Sequence, residues 1–214
     1  MRILCLGDSY TIGEAVANKD TWPMQLAKLL EQSLTQQVQA QIIAKTGWST
    51  DELIAAVDRA QAAHEIHPPY ELVSLAIGVN NQYRGRSVEN YAVEFATLLQ
   101  RAIGYAAGEQ LPRKASRVLV LSIPDWGQTP FAAKDVRGPE KIAAQIDLFN
   151  AESRRQCAAA QVLFIDVTPL SRSADPELVA VDGLHPSAKA YAQWAQATLH
   201  HAIRALGARS LVGG

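Results

Sequence analysis

A chain of 214 residues with 48% hydrophobic and 19% charged side chains is globular and long enough to bury a substantial core in a single domain, 1–214. Its formal net charge of −1 gives no electrostatic reason to expect a nucleic-acid or anionic-membrane partner. The opening Met1-Arg2 runs straight into apolar residues without the regions of an export signal, and no stretch approaches the length of a membrane span; the expectation is a soluble, cytoplasmic protein without integral membrane association.

Arg2 to Leu6 reads as a buried strand, and Gly7-Asp8-Ser9 follows it: Gly7 permits an abrupt turn, Asp8 can hold that turn through its side chain, and Ser9 stands at the strand's carboxyl end. A loop from Gly7 to Asn18 leads to a helix over Trp22 to Leu34, with Leu26, Leu29, Leu30 and Leu34 on one face, Thr21 as N-cap and Pro23 in the first turn. Val38 to Ile43 is a second strand ending near Lys45. After Gly47-Trp48, Ser49 and Glu52 form a capping box for a helix through Ala63, stopped by Pro68-Pro69. Leu72 to Ile77 is the third strand, with Gly78-Val79-Asn80-Asn81 at its exit. Ser87 caps a long helix bearing Tyr91, Phe95, Leu98, Leu99 and Ile103.

Arg117 to Ile123 is the fourth strand, and Pro124 to Gly138 reads as irregular. A helix over Pro139 to Ala160, a fifth strand over Val162 to Ile165, a loop from Asp166 to Leu184 and a final helix from Ser187 to about Leu206 complete the chain. Cys5 in the first strand and Cys157 on a helix face are expected as buried thiols, not a disulfide. Five rounds of strand and helix without hairpin signals predict a three-layer α/β/α fold with a parallel sheet, most simply in the flavodoxin-like order 2-1-3-4-5. In such a sheet, ligands bind beyond the strands' carboxyl ends, and Ser9, Gly47, Asn80 and the pair Asp182 and His185 all fall on that edge.

Gly7-Asp8-Ser9 near the start and Asp182-x-x-His185 near the end resemble the SGNH/GDSL hydrolase family, most closely its small bacterial lysophospholipase-like esterases. The resemblance extends from Gly7 to the helix after His185. It implies a carboxylic ester hydrolase acting through an acyl-enzyme without metal or organic cofactor. Ser9 is the nucleophile, His185 the base and Asp182 the group that orients His185, with Ser9 Oγ and His185 Nε2 expected about 2.6–3.2 Å apart, or somewhat farther without ligand. The family pattern places the oxyanion donors at the backbone N–H of Ser9, the backbone N–H of Gly47 and the side-chain amide of Asn80. It also implies small ester substrates (short acyl, lysophospholipid, thioester or acetylated-sugar type) without choosing among them. The third block departs from the usual Gly-x-Asn-Asp: here Asn81 replaces the second carboxylate, in a position suited to supporting the loop.

Tyr10, Trp48, Tyr83, Trp126 and Phe131 each lie near a strand exit and would form the apolar wall of a substrate pocket, with Arg84 as its polar anchor. The alternative for each is ordinary packing or a surface arginine. Asp125 reads as a loop cap, Tyr191 and Trp194 as core, and His64, His67, His200 and His201 as solvated side chains. Two other readings stand beside the esterase: an acyltransferase on the same machinery, and a non-catalytic small-molecule binder. The sequence carries no expectation of oligomeric state.

Overall fold

The computed structural model describes residues 1–207; residues 208–214 of the expected domain lie outside the described residues. Strands β1 (Arg2–Gly7), β2 (Gln39–Ala44), β3 (Leu72–Ala76), β4 (Val118–Leu121) and β5 (Leu163–Ile165) form one parallel sheet in the order β2-β1-β3-β4-β5, as the pattern of alternating elements predicts. Strand β1 lies between β2 and β3, its Leu6 in register with Ile43 on one side and Leu75 on the other. The apolar runs of β3 and β4 are buried throughout, whereas the edge strands β2 and β5 keep partly exposed side chains, as strands covered on fewer sides do.

The helices are α1 (Ser9–Ile12), α2 (Trp22–Leu34), α3 (Thr50–Ala62), α4 (Val79–Tyr83), α5 (Val88–Tyr105), α6 (Leu111–Ala115), α7 (Pro139–Ala159), α8 (Thr168–Ser171) and α9 (Ala188–Ala205). Helices α2 and α9 pack together over one face of the sheet, and α3, α5 and α7 form the layer on the other. The apolar stripe of α2 explains its placement: Leu26 and Leu30 are wholly buried, each contributing roughly 1.5–3 kcal/mol relative to exposure. Tyr191 and Trp194 of α9 are core residues, and Trp194 stacks on Tyr10 at 6.1 Å between ring centroids. Cys5 and Cys157 are free and buried, and burial pushes both thiols up to about 12.

The caps follow the sequence with one exception. The Glu52 carboxylate accepts from the Ser49 N–H (2.9 Å), and Ser87 Oγ accepts from the Asn90 N–H (3.1 Å). Thr21 occupies the N-cap of α2, but its hydroxyl accepts from no N–H of the first turn; it donates instead to the Asn18 carbonyl (3.0 Å). The single-turn helices α1, α4, α6 and α8 stand where the sequence reads as loop. Residues 126–128, 130–134 and 176–178 form 3₁₀ turns within the stretches expected to be irregular.

Gly78, between β3 and α4, has φ +128°, and a Cβ there would lie 2.7 Å from the Tyr91 ring and 2.8 Å from Ile123. Gly78→Ala is therefore expected to cost about 1–3 kcal/mol, read as a lower urea midpoint and Tm. An unchanged midpoint would mean that the carboxyl end of β3 is less constrained than this packing implies.

Candidate active site

The carboxyl ends of the five strands share one edge of the sheet. Strand β1 connects to β2 on one side, and the chain then returns to β3 on the other, so the switch in strand order falls beside β1. There the backbone crowds. A Cβ on Gly7 would lie 2.1 Å from Thr11 Oγ1 and 2.5 Å from the Ala76 carbonyl oxygen. Gly7 is thus needed for close approach; its backbone is not in the left-handed region, contrary to a purely conformational reason for glycine.

Asp8 follows as the N-cap of α1, accepting from the Tyr10 N–H (3.0 Å), and Gly13 closes the turn in the left-handed conformation. Ser9 is the first residue of α1, so its N–H has no partner within the helix. Asp8 is buried, and that burial raises its carboxyl to about 7 against the opposing hydrogen bond from Tyr10.

Gly47 lies beyond β2 at φ +84°, in a turn closed by the Trp48 N–H on the Lys45 carbonyl (3.2 Å); the Gly47 N–H takes no part in that bond. Asn80, in α4 beyond β3, donates from Nδ2 to the Trp48 carbonyl (2.9 Å). This bond uses one amide hydrogen and fixes the plane of the group, leaving the second hydrogen available.

His185 and Asp182 come from a short antiparallel turn. The Ala180 N–H bonds to the His185 carbonyl (2.7 Å), the Ser187 N–H to the Leu178 carbonyl (2.9 Å), and Gly183 turns the chain at φ +72°. One oxygen of Asp182 accepts from the backbone N–H groups of Leu184 (2.9 Å) and His185 (3.0 Å), and the other accepts from His185 Nδ1 (2.6 Å). Partial burial pushes the Asp182 carboxyl up, but hydrogen bonds from the His185 ring and these two N–H groups outweigh it and hold the group below the usual carboxylate range. In the neutral ring the proton then sits on Nδ1, which leaves Nε2 as a base. The His185 ring lies tilted against Tyr10, 5.2 Å between centroids.

These pieces meet at one cavity of about 150 Å³, lined by Ser9, Tyr10, Gly47, Asn80, Tyr83, Trp126, Phe131 and His185, together with Thr46, Val79 and Leu184. Ser9 and His185 both line it, and no hydrogen bond joins their side chains. Catalytic hydrogen bonds commonly tighten only when substrate is bound. A smaller apolar chamber of about 40 Å³ lies behind the wall formed by Tyr10, Trp126, Leu184 and His185. In front, an open groove lined by Pro130, Lys134, Asp135, Asp182 and Gly183 meets the cavity across Tyr83 and Phe131.

Two expected wall residues stand elsewhere. Trp48 is half-buried against the core, and Arg84 is drawn away from the cavity by the Gly47 carbonyl (2.7 Å), Ser49 Oγ (3.2 Å) and the Glu52 carboxylate (2.9 Å). The arginine that meets the aromatic wall is Arg137, which the sequence does not single out. It lies over the rings of Trp126 (5.1 Å) and Tyr83 (5.6 Å) and pairs with Asp135 (2.7 Å). Trp126 is buried and donates from Nε1 to Gln82 Oε1 (2.8 Å), while Tyr83 and Phe131 remain 45% and 41% exposed at the rim. Asp125 caps the Gly127 N–H (2.9 Å) and pairs with Arg172 (2.8 Å), as a loop cap does. Thr46, Val79 and Leu184 carried no signal beyond their neighbours in sequence.

Fold and site together define a class: a parallel α/β/α protein whose polar groups converge at the carboxyl ends of β1 and its two neighbours. Residues 5–193 match the model of the GDSL-like lipase/acylhydrolase family, and the chain belongs to that family. No curated protein matches the sequence. Among solved structures, TesA superposes with a TM-score of 0.71 at 17% identity, over 96% of this chain and 99% of that one. A member of the lipolytic G-D-S-L family from Veillonella parvula gives 0.72 at 18% identity, over 94% and 97%. Axe2, an acetylxylan esterase from Geobacillus stearothermophilus, gives 0.67 at 14% identity, over 97% and 94%. At these identities the likeness is one of fold.

The Asp8 carboxyl carries a pH dependence. Its folded value, about 7, lies above the unfolded one, so its contribution to stability is complete below about pH 4 and is lost as pH rises through about 7. Asp8→Asn keeps an acceptor for the Tyr10 N–H and has no proton to lose. The Tm difference between Asp8→Asn and the parent protein should therefore move in favour of the variant between about pH 4 and pH 8; a difference independent of pH would show that Asp8 is not held protonated by the fold.

Proposed function

We propose that this protein is a serine esterase that hydrolyses small carboxylic esters through an acyl-enzyme. The observation that carries the reading is the 2.6 Å hydrogen bond between Asp182 and His185 Nδ1, which leaves Nε2 as the basic nitrogen of a buried imidazole that lines the same cavity as Ser9. Ser9 Oγ attacks the ester carbonyl carbon while His185 Nε2 takes the hydroxyl proton, and Asp182 stabilises the imidazolium so formed. The tetrahedral oxyanion is met by the N–H groups of Ser9 and Gly47 and by the free amide hydrogen of Asn80. Each such donor typically contributes roughly 2.7–4 kcal/mol to the transition state. Collapse breaks the bond to the alcohol oxygen, which leaves with the proton from His185. Water then attacks the acyl-enzyme with His185 again as base, releasing the acid and returning the proton to Ser9.

The acyl group occupies the inner cavity and the leaving alcohol the outer groove. A cavity near 150 Å³ with a largely aromatic and aliphatic wall is on the scale of one that takes up benzene, which supports a short acyl chain. The acetyl ester named for the structurally similar Axe2 is of that size. The groove supports a more polar leaving group, since Lys134, Asp135 and Asp182 border it.

Ser9→Ala and His185→Ala are each expected to abolish p-nitrophenyl acetate hydrolysis almost completely, and the double variant to be scarcely worse, because the two act as a unit. Ser9→Ala should also lose labelling by a fluorophosphonate. Multiplicative losses, or labelling that survives the change, would count against the mechanism. Phe131→Ala is expected to shift relative kcat/KM along a p-nitrophenyl series from acetate to dodecanoate with little change in Tm, since the ring lies at the rim and is 41% exposed. A lower Tm with the same chain-length profile would make Phe131 a packing residue.

A further inference from the structure

The amide at position 81, where this chain departs from the Gly-x-Asn-Asp pattern, is wholly buried in α4 and faces Thr50, the first residue of α3. The Thr50 backbone N–H, one of the donors that a helix start leaves without an internal partner, bonds to Asn81 Oδ1 at 3.0 Å. That N–H can only donate, which fixes the orientation of the amide and sets Nδ2 against Thr50 Oγ1 at 2.6 Å. Thr50 Oγ1 in turn donates to the Glu94 carboxylate of α5. A hydroxyl has one proton. Once Glu94 accepts it, Thr50 Oγ1 is an acceptor toward residue 81, and only a donor can face it there.

A carboxylate at 81 would still accept the Thr50 N–H but would set a second acceptor against Thr50 Oγ1, in a buried site with Glu94 behind it. The consequence reaches the cavity through the chain. Thr50 follows Gly47-Trp48-Ser49 directly, and Asn80, next to Asn81, holds the Trp48 carbonyl. We infer that Asn81 is a positioning residue for the Gly47 N–H, required as an amide because Glu94 takes the only proton of Thr50. Its effect on rate rests on the esterase reading above; the match of donors and acceptors does not.

The test restores the family residue and then reverses the relay. In Asn81→Asp, kcat for p-nitrophenyl acetate should fall about tenfold or more, less than the loss of a whole oxyanion donor, with KM within about twofold. Adding Glu94→Gln lets the Gln amide donate to Thr50 Oγ1 and frees the hydroxyl proton for the carboxylate introduced at position 81. The double variant should therefore recover most of the lost kcat, a rescue that mere loss of packing would not give. Wild-type kcat in Asn81→Asp, or a double variant no better than the single, overturns the inference. Should Asn81→Asp not fold, recovery of folded protein and of Tm in the double variant supports the relay, and a double variant equally unfolded overturns it. Ser9→Ala run alongside separates the two readings: if it stays active the esterase reading fails. The Gly47 amide cross-peak in a ¹⁵N–¹H spectrum then decides the inference alone, supporting it if displaced by Asn81→Asp and returned by Glu94→Gln, and overturning it if it does not move.

Discussion

The carboxyl end of β1 is packed so closely that residue 7 can carry no side chain, with Thr11 on one side and the main chain of β3 on the other. That closeness lets α1 begin directly above the end of β1, an interior strand held by β2 on one side and β3 on the other. The hydroxyl and N–H of Ser9 are delivered together by this arrangement, since both belong to the residue that opens the helix. A side chain at 7 would lift α1 from β3 and move both groups at once.

Helix α4, of only five residues, acts as a bracket between two loops. Toward β2 it reaches Trp48 and Thr50 through Asn80 and Asn81, and Arg84 at its end reaches the Gly47 carbonyl. Toward β4 it holds Trp126 through Gln82, while the Arg137 guanidinium donates to the Tyr83 carbonyl (3.3 Å). Glycine at 47 gives the main chain freedom that must be taken away if its N–H is to be preorganised, and this bracket removes it.

The long helices and the sheet order are legible in the sequence because amphipathic periods and alternating elements record burial directly. Helices α1, α4, α6 and α8 are not, since four or five residues hold too few turns to show a period and depend on tertiary partners such as Thr50 for Asn81. Ser9, Gly47, Asn80, Asp182 and His185 stand out through their resemblance to the family motifs and their places at strand ends, and four of the five line one cavity. The cavity wall was only half legible. Arg84 follows closely on the exit of β3 whereas Arg137 lies deep in the irregular stretch after β4, and the Glu52 carboxylate and the Gly47 carbonyl hold the first while Asp135 pairs with the second beside the aromatic rings. Thr21 looks like a cap in sequence, but its side chain is turned to the Asn18 carbonyl and accepts from no N–H of the helix start.

The Phe131 N–H donates to the Gly183 carbonyl at 2.9 Å, fastening the rim loop to the turn that carries Asp182 and His185. Only main-chain atoms make this tie. Every residue except proline can therefore occupy position 131 and keep it, whatever ring, chain or charge it places at the cavity mouth. The side chain at the cavity mouth can thus change without loosening the turn beneath it, and the Asp182–His185 pair stays anchored.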